Sequence, residues 1–166
     1  MSGLAIASSN GIDEKIVSVG VSYNTNVPAG TSVPMEWDTY IIDELAGAAF
    51  DVVNFWTRLT VPPGYTRAKL TAGVNWEVST AIGTRKIELY RNGLAVYNPS
   101  GMPTGSILPG QTDYQAGASG THPQMFSSCW LPVTAGNYFE VMLLNSSTLS
   151  NFVANDLTFF EMILRK

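Results

Sequence analysis

Apolar and polar residues alternate along several short stretches of the chain, which is the pattern of half-buried β-strands. Within Arg85–Arg91, Ile87 and Leu89 point to one face, while charged residues and Tyr90 point to the other. Asn92-Gly93 follows directly and favours a tight hairpin turn, because both central residues of such a turn need positive φ. We therefore predict a β-hairpin around this pair.

Other stretches are rich in β-branched and aromatic residues and are separated by turns that contain Gly or Pro. Ile41–Phe50 contains Gly47 and is short, so it is compatible with one helical turn or with a structured loop. With no long helical pattern elsewhere, the chain predicts an all-β fold built from antiparallel strands. The predicted strands are Lys15–Tyr23, Ser32–Thr39, Phe55–Val61, Thr66–Val78, Thr84–Arg91, Met125–Val133, Asn137–Leu144 and Leu157–Leu164.

The last two predicted strands are apolar on both faces. A strand in a solvated sandwich should present one polar face. No predicted helix is long enough to cover the second face, so we expect other copies of the chain to cover it. The residues predicted for this interface between subunits are Tyr138, Met142, Leu144, Phe160, Met162 and Leu164.

The low share of charged residues strengthens the expectation of self-association. At 166 residues the chain can form one domain with a sizeable core, yet only 13% of its residues are charged, about half the usual share. The net charge of −4 argues against a nucleic-acid-binding role. Acidic residues concentrate between Glu36 and Asp51, and basic residues between Arg58 and Arg91. These two groups form either solvated rims or complementary patches between neighbouring subunits.

Few residues carry recognisable reactive chemistry. Cys129 lies in an apolar run and is predicted to be buried in the core, since free cysteine is among the most buried residue types. His122 lies in a loop rich in Gly, Ser and Pro, which does not favour a catalytic pair with Cys129. No apolar run is long enough to cross a membrane. The residues before Lys15 lack a basic group and a long apolar core, so we expect no secretory signal.

Two groups of carboxylates raise the question of an enzyme site and of a metal site. Glu36 and Asp38 would share one face of a strand, and a glycosidase needs a carboxylate pair. Such spacing is common on exposed strands, and no supporting base is present, so we predict that the protein is not an enzyme. Calcium ligands could come from the acidic residues between Asp43 and Asp51, but these have no regular ligand spacing. We therefore predict no metal and no cofactor.

Two segments look suited to contacts with other molecules. Residues 1–14 form a predicted N-terminal arm ahead of a domain that covers residues 15–166. Asn98–Pro123 is a long loop dense in small residues, and loops of this length usually make contacts. Its aromatic residues could form a shallow platform for a sugar or a small local core. The candidate ligand residues in and next to this loop are Tyr97, Tyr114 and His122.

An ordered set of motifs resembles a known family. A strand leading to Pro-Gly-Tyr spans Leu59–Tyr65, and Arg-Lys-Ile-Glu-Leu-Tyr-Arg-Asn-Gly spans Arg85–Gly93. Thr-Ala-Gly-Asn-Tyr-Phe-Glu-Val lies within Val133–Val141, and Leu-Thr-Phe-Phe-x-x-x-Leu spans Leu157–Leu164. This set resembles the globular head of complement subcomponent q and its tumour-necrosis-factor-like relatives. The resemblance implies an antiparallel jelly-roll sandwich of about eight to ten strands that forms a tight trimer around its C-terminal strands.

The resemblance also implies a function. Val27-Pro28-Ala29-Gly30 and the run ending at Gly93 are similar to stand-alone members found in tailed-bacteriophage genomes. Those members resemble virion structural proteins, and the absence of heptads or repeats here favours a capsid decoration (cement) protein over a fibre. The expected partners are two further copies of the chain and the major capsid protein, on a capsid surface assembled in the host cytoplasm. The expected capsid contacts of the arm are Leu4, Ile6 and Ile12.

An alternative is a tail, baseplate or head-fibre tip that binds host-surface carbohydrate through the long loop. Neither reading involves nucleic acid or a membrane.

Overall fold

The computed structural model describes residues 13–77, 83–95 and 122–166, which fold as two packed antiparallel β-sheets. The strands in this part of the chain are β1 Glu14–Gly20, β2 Thr25–Val27, β3 Thr31–Pro34, β4 Thr39–Asp43, β5 Arg58–Thr60, β6 Arg67–Trp76, β7 Arg85–Arg91, β8 Leu94–Ala95, β9 His122–Ser127, β10 Leu131–Pro132, β11 Tyr138–Asn145 and β12 Asn151–Arg165. The predicted all-β jelly-roll sandwich is confirmed.

The described residues contain twelve strands, more than the predicted eight to ten, because one predicted strand is divided into β9 and β10 and two strands were not predicted. The seven-stranded sheet has the order β10-β6-β12-β1-β4, with β9 also pairing with β6 and β2 with β12. The five-stranded sheet has the order β3-β11-β7-β8, with β5 also pairing with β11. Thus β9 and β10 share one neighbour, as do β3 and β5. Two strands, β2 and β4, were not among the predicted strands.

The predicted hairpin is confirmed. Strands β7 and β8 pair across Asn92-Gly93, whose φ angles are 52° and 77°. Positive φ at both positions matches the primed turn that an Asn-Gly pair favours. Ile87 and Leu89 of β7 are each 1% exposed and pack in the core, as their alternation predicted.

The core lies between the two sheets and is filled by one face of each long strand. Val17 and Val19 of β1 face it, next to Met162 and Phe160 of β12 in the same sheet. The ring of Phe160 lies 5.8 Å from that of Trp37, centroid to centroid. A single chain therefore closes its own apolar interior.

This core corrects the prediction for the C-terminal strands. Phe160, Met162 and Leu164 are all 0% exposed within one chain, so they cannot form an interface with another copy. They face inward because the alternate positions of β12 carry Glu161 and Arg165, whose burial would be costly. Strands β11 and β12 also lie in different sheets. The other predicted interface residues, on the outer face of the five-stranded sheet, are Tyr138, Met142 and Leu144.

Two further predictions fail for local reasons. The predicted strand Met125–Val133 is interrupted after β9, and Cys129 lies in the break, where it is exposed and not buried. The segment Ile41–Phe50, predicted as a helical turn or a loop, begins with the last three residues of β4 at the edge of the seven-stranded sheet, and only residues 44–50 form the expected loop. All five residues of β4 are exposed. Within the described ranges no helix is long and apolar enough to cross a membrane.

Candidate functional site

The outer face of the five-stranded sheet mixes apolar and charged side chains. On β11, Met142 lies opposite Glu88 of β7, and Leu144 lies opposite Lys86. Residues directly opposite on antiparallel strands share a face and lie next to each other. Each of these apolar side chains therefore has a charged neighbour, of which Lys86 is half-buried and Glu88 is buried at 4% exposure.

The outer face of the seven-stranded sheet is more apolar and is the candidate functional site. Ile16 of β1 lies opposite Ile163 of β12, and Phe159 of β12 lies opposite Gly73, which in turn lies opposite Met125 of β9. Exposure is partial at Ile16, Phe159 and Ile163 and reaches 58% at Met125. We call this surface the apolar face; its residues are Ile16, Ile41, Ile42, Met125, Leu157, Phe159 and Ile163.

Two glycine residues leave space for large side chains on the apolar face. A Cβ atom added at Gly73 would lie 2.6 Å from the ring atom Cε1 of Phe159, so the ring lies directly over this glycine. A Cβ added at Gly20 would lie 3.1 Å from Cδ1 of Ile41. The two glycines thus let large apolar side chains lie flat across the sheet, which leaves a broad surface for a partner.

A hollow of about 380 Å³ opens on this face between β4 and β12. Gly20, Ile42 and Phe159 line it together with Leu157, which is 71% exposed. Leu157 also has a positive φ of 59°, which is uncommon for a residue other than glycine. An exposed leucine above an apolar hollow is a feature of contact surfaces.

Polar residues cross the middle of the apolar face in one row. Ser18, Glu161 and Thr71 lie opposite one another on β1, β12 and β6. Thr71 Oγ1 also lies 3.3 Å from Ser127 Oγ of β9. Ser18 is only 3% exposed, so Glu161, Thr71 and Ser127 are the polar groups that this row offers a partner, between apolar areas that supply the driving force.

Charged groups lie at one end of the same face. Arg165 of β12 forms an ion pair with Glu14 of β1. The guanidinium carbon of Arg165 also lies 4.1 Å from the centroid of the Trp130 ring. Arg67 and Lys69 of β6 lie opposite Arg165 and Ile163. The apolar face is therefore bounded by charge, as the rim of a protein interface usually is.

The other predicted site residues belong to the predicted arm and the predicted long loop. The arm residues Leu4, Ile6 and Ile12 and the loop residues Tyr97 and Tyr114 lie outside the described residues. His122 begins β9 and pairs with Trp76 of β6 through the backbone. These predictions stay predictions.

The acidic residues Asp43 and Asp51, which were possible calcium ligands by sequence, accept hydrogen bonds from backbone N–H groups. Asp43 accepts hydrogen bonds from the backbone N–H groups of Leu45 (3.0 Å) and Gly47 (2.8 Å). Asp51 does the same for Val53 and Asn54, which begin the next turn. Within residues 13–77, 83–95 and 122–166, no cluster of three His, Cys, Asp or Glu could hold a metal ion. These carboxylates stabilise turns.

Glu36 and Asp38 do not share a strand, because β3 ends at Pro34. Asp38 accepts hydrogen bonds from Ser22 N at 2.8 Å, Ser22 Oγ at 2.5 Å and Thr39 Oγ1 at 2.8 Å. Burial alone would raise the pKa of Asp38, but these hydrogen bonds outweigh it and lower the pKa below 3.8. The carboxylate therefore stabilises the turn that follows β1.

Replacing Asp38 with asparagine is expected to lower the free energy of unfolding by about 1 kcal/mol near neutral pH. The folded pKa is below the unfolded value, so the carboxylate contributes its full stability above pH 3.8 and loses it as the pH falls through the folded pKa. Urea denaturation of both proteins across this range measures the effect. A difference that stays constant down to strongly acidic pH would contradict this role.

The sequence contained one signal for the apolar face that the strand-by-strand prediction missed. Glu161 and Arg165 alternate with Phe160, Met162 and Leu164, which assigns the latter to the core and Phe159 and Ile163 to the outer face. Ile16, Ile42 and Met125 join that face only through the sheet order, because β1, β4 and β9 are far apart in sequence.

Comparison with known proteins shows the fold. No family model matches the chain, and no curated protein matches it. Among solved structures, murine APRIL at pH 5.0 is similar with a TM-score of 0.61 and 8% identity, covering 92% of this chain and 99% of that one. Eiger TNF from S. frugiperda is similar with a TM-score of 0.51 and 11% identity, covering 92% of each chain. The chain therefore has a jelly-roll fold like that of tumour-necrosis-factor family proteins.

Proposed function

We propose that this protein is a non-enzymatic structural module that assembles with copies of itself through the apolar face. The observation that carries this proposal is the exposure of Ile41 (56%), Ile42 (40%), Met125 (58%) and Leu157 (71%) on one side of one sheet. Exposed apolar residues scattered singly are common, whereas a contiguous patch beside a hollow is typical of an interaction site.

Opposite charges lie at different sides of the apolar face. Arg67 and Lys69 lie on β6, while Asp43 and Glu44 lie at the far edge beyond β1, at or directly after the end of β4. In a head-to-tail interface the basic side of one copy meets the acidic side of the next, and each contact pairs opposite charges. Because a two-fold interface can pair these charges as well, the preference for a ring rests on the family resemblance. The resemblance to complement subcomponent q heads adds that the ring has three copies.

We further propose that the trimer decorates a bacteriophage capsid and joins neighbouring shell subunits. This part rests on the resemblance to stand-alone members from tailed-phage genomes. Three N-terminal arms on one trimer would bind the major capsid protein at neighbouring points, so each arm would raise the effective concentration of the other two. The buried area added between shell subunits would stabilise the head.

Deletion of residues 1–12 is expected to leave a folded, assembled protein that no longer binds capsids. The fold should survive because every described residue of the hydrophobic core lies at or after Val17. Sedimentation of purified protein with capsids that lack it measures binding. With three arms lost at once, binding should fall by at least about 100-fold.

A second variant keeps the full length of the chain but replaces Leu4, Ile6 and Ile12 with serine. It should lose capsid binding to a similar degree if apolar contacts of the arm are responsible. Undiminished binding of the deletion variant would contradict the role of the arm, and no binding by the wild-type protein would contradict the capsid role.

A further inference from the structure

A second surface feature lies where the chain passes from one sheet to the other. Tyr23 and Trp56 border a cleft of about 280 Å³ whose lining also includes Glu36, Asp38 and Val52. Tyr23 is 51% exposed and Trp56 is 44% exposed, so both rings present a large part of their surface to solvent. Large aromatic side chains that are exposed to solvent in this way are common in binding sites.

The cleft continues into a neighbouring hollow of about 350 Å³ that shares Tyr23 and Glu36 as lining residues. Asn24, Asn26, Val33 and Pro34 also line this second hollow. Together the two hollows form an open groove on both sides of Tyr23 and Glu36. Such a shape suits an extended ligand.

The groove presents negative charge. Glu36 is exposed, and its carboxylate accepts none of the hydrogen bonds made by described residues. Asp38 remains ionised at neutral pH because Ser22 and Thr39 donate hydrogen bonds to it. The described residues that line the two hollows include no lysine or arginine. An anionic ligand would therefore be repelled, and a cation would be attracted.

The aromatic rings add a second attraction for a cation. Burial first, and then the charges of Glu36 and Asp38, raise the pKa of Tyr23 above 10.0, so its ring stays a neutral phenol. The faces of neutral Tyr and Trp rings attract ammonium and guanidinium groups. A carboxylate beside such rings would complete the recognition by pairing with the same cation.

The scaffold around the groove is held by backbone contacts to the core. Trp37 donates its backbone N–H to the carbonyl of Trp56 at 2.8 Å, and Asp38 donates to the carbonyl of Gly20 at 3.1 Å. Trp37 is 1% exposed and packs against Phe160. Trp56 and Asp38 thus start from backbone positions that are fixed before a ligand arrives, which lowers the entropic cost of binding.

We propose that this groove binds lysine or arginine side chains of an extended basic segment in a partner protein. The cation is selected by charge complementarity with Glu36 and Asp38. The solvent-exposed rings of Tyr23 and Trp56 add to this selection. The groove accommodates an extended chain on both sides of the cationic group. None of its lining residues lines the hollow of the apolar face, so this binding would be separate from self-association.

Isothermal titration with an N-acetylated, C-amidated pentalysine peptide tests the proposal. The wild-type protein is expected to bind one peptide per chain. The same peptide with every lysine side chain acetylated keeps its shape but loses its charge, and it should not bind. Glu36→Gln and Trp56→Leu should each weaken binding of pentalysine about fivefold.

Glu14→Gln is the matched control because it removes the same charge elsewhere. Glu14 begins β1, whose seven residues place it about 20 Å from the end of the strand that leads to Tyr23. This variant should bind like the wild type. Equal loss in Glu14→Gln and Glu36→Gln would reduce the effect to net charge and overturn the proposal. Binding of the acetylated peptide, or of maltopentaose in its place, would overturn the cation specificity. Glu36→Gln keeps the test decisive should Trp56→Leu lose its fold.

Discussion

Replacement of Phe160 by alanine is expected to lower the free energy of unfolding by about 3–5 kcal/mol. Phe160 is 0% exposed, packs against the Trp37 ring at 5.8 Å and lies between Val19 and Ala72 on the neighbouring strands. The substitution removes the whole buried aromatic ring and leaves a cavity that close-packed neighbours cannot fill. Urea denaturation followed by circular dichroism measures the loss.

Met142→Ala is the matched control for this substitution. Met142 was predicted for the same interface as Phe160 but lies half-buried on the outer face of the five-stranded sheet. It should lose no more than about 1.5 kcal/mol, since less apolar surface is returned to water. Similar losses for the two variants would contradict the inward orientation of Phe160.

Replacement of Ile163 by lysine is expected to keep the fold and abolish self-association. Ile163 lies on the apolar face between Ile16 and Lys69. A lysine at this position would bring an ammonium group into the apolar contact, where its loss of hydration is costly, so the dissociation constant should rise at least about 1,000-fold. Size-exclusion chromatography with light scattering measures the assembly, and circular dichroism checks the fold.

Leu144→Lys is the control because it introduces the same charge on the other outer face. Leu144 is half-buried like Ile163, and it also lies opposite a lysine, Lys86. This variant should remain assembled. Dissociation of Leu144→Lys together with retained assembly of Ile163→Lys would transfer the interface to the five-stranded sheet.

Local pattern was enough to predict most strands of this fold. Val17 and Val19 alternate with residues of the outer face, and Asn92-Gly93 marks its hairpin, because these signals depend only on neighbours in the chain. β4 was missed because Ile41 and Ile42 lie next to each other and conceal the alternation, and the register of β4 shifts near this point. A register shift of this kind depends on the partner strand.

The candidate site was harder to predict than the fold. The apolar character of β12 was visible, but which half of it faced outward depended on Glu161 and Arg165. The complete face also needed the order of β9, β6, β12, β1 and β4, which brings together residues more than 100 positions apart. Pairings of this length are fixed by the global topology and not by local sequence.

The groove at Tyr23 and Trp56 shows the same limit. In the sequence, Glu36 and Asp38 form a carboxylate pair whose spacing is common on exposed strands, so the pair alone predicts no site. Only the folded chain places them beside two solvent-exposed aromatic rings. That arrangement is the basis for proposing recognition of a cation.

The mass of the wild-type protein in solution, measured by light scattering over a dilution series, tests self-association most directly. Burial of the apolar face predicts a stable species of about three times the chain mass of 17.9 kDa. A species with the mass of one chain at every concentration would show that this face remains in water and would contradict the proposed assembly.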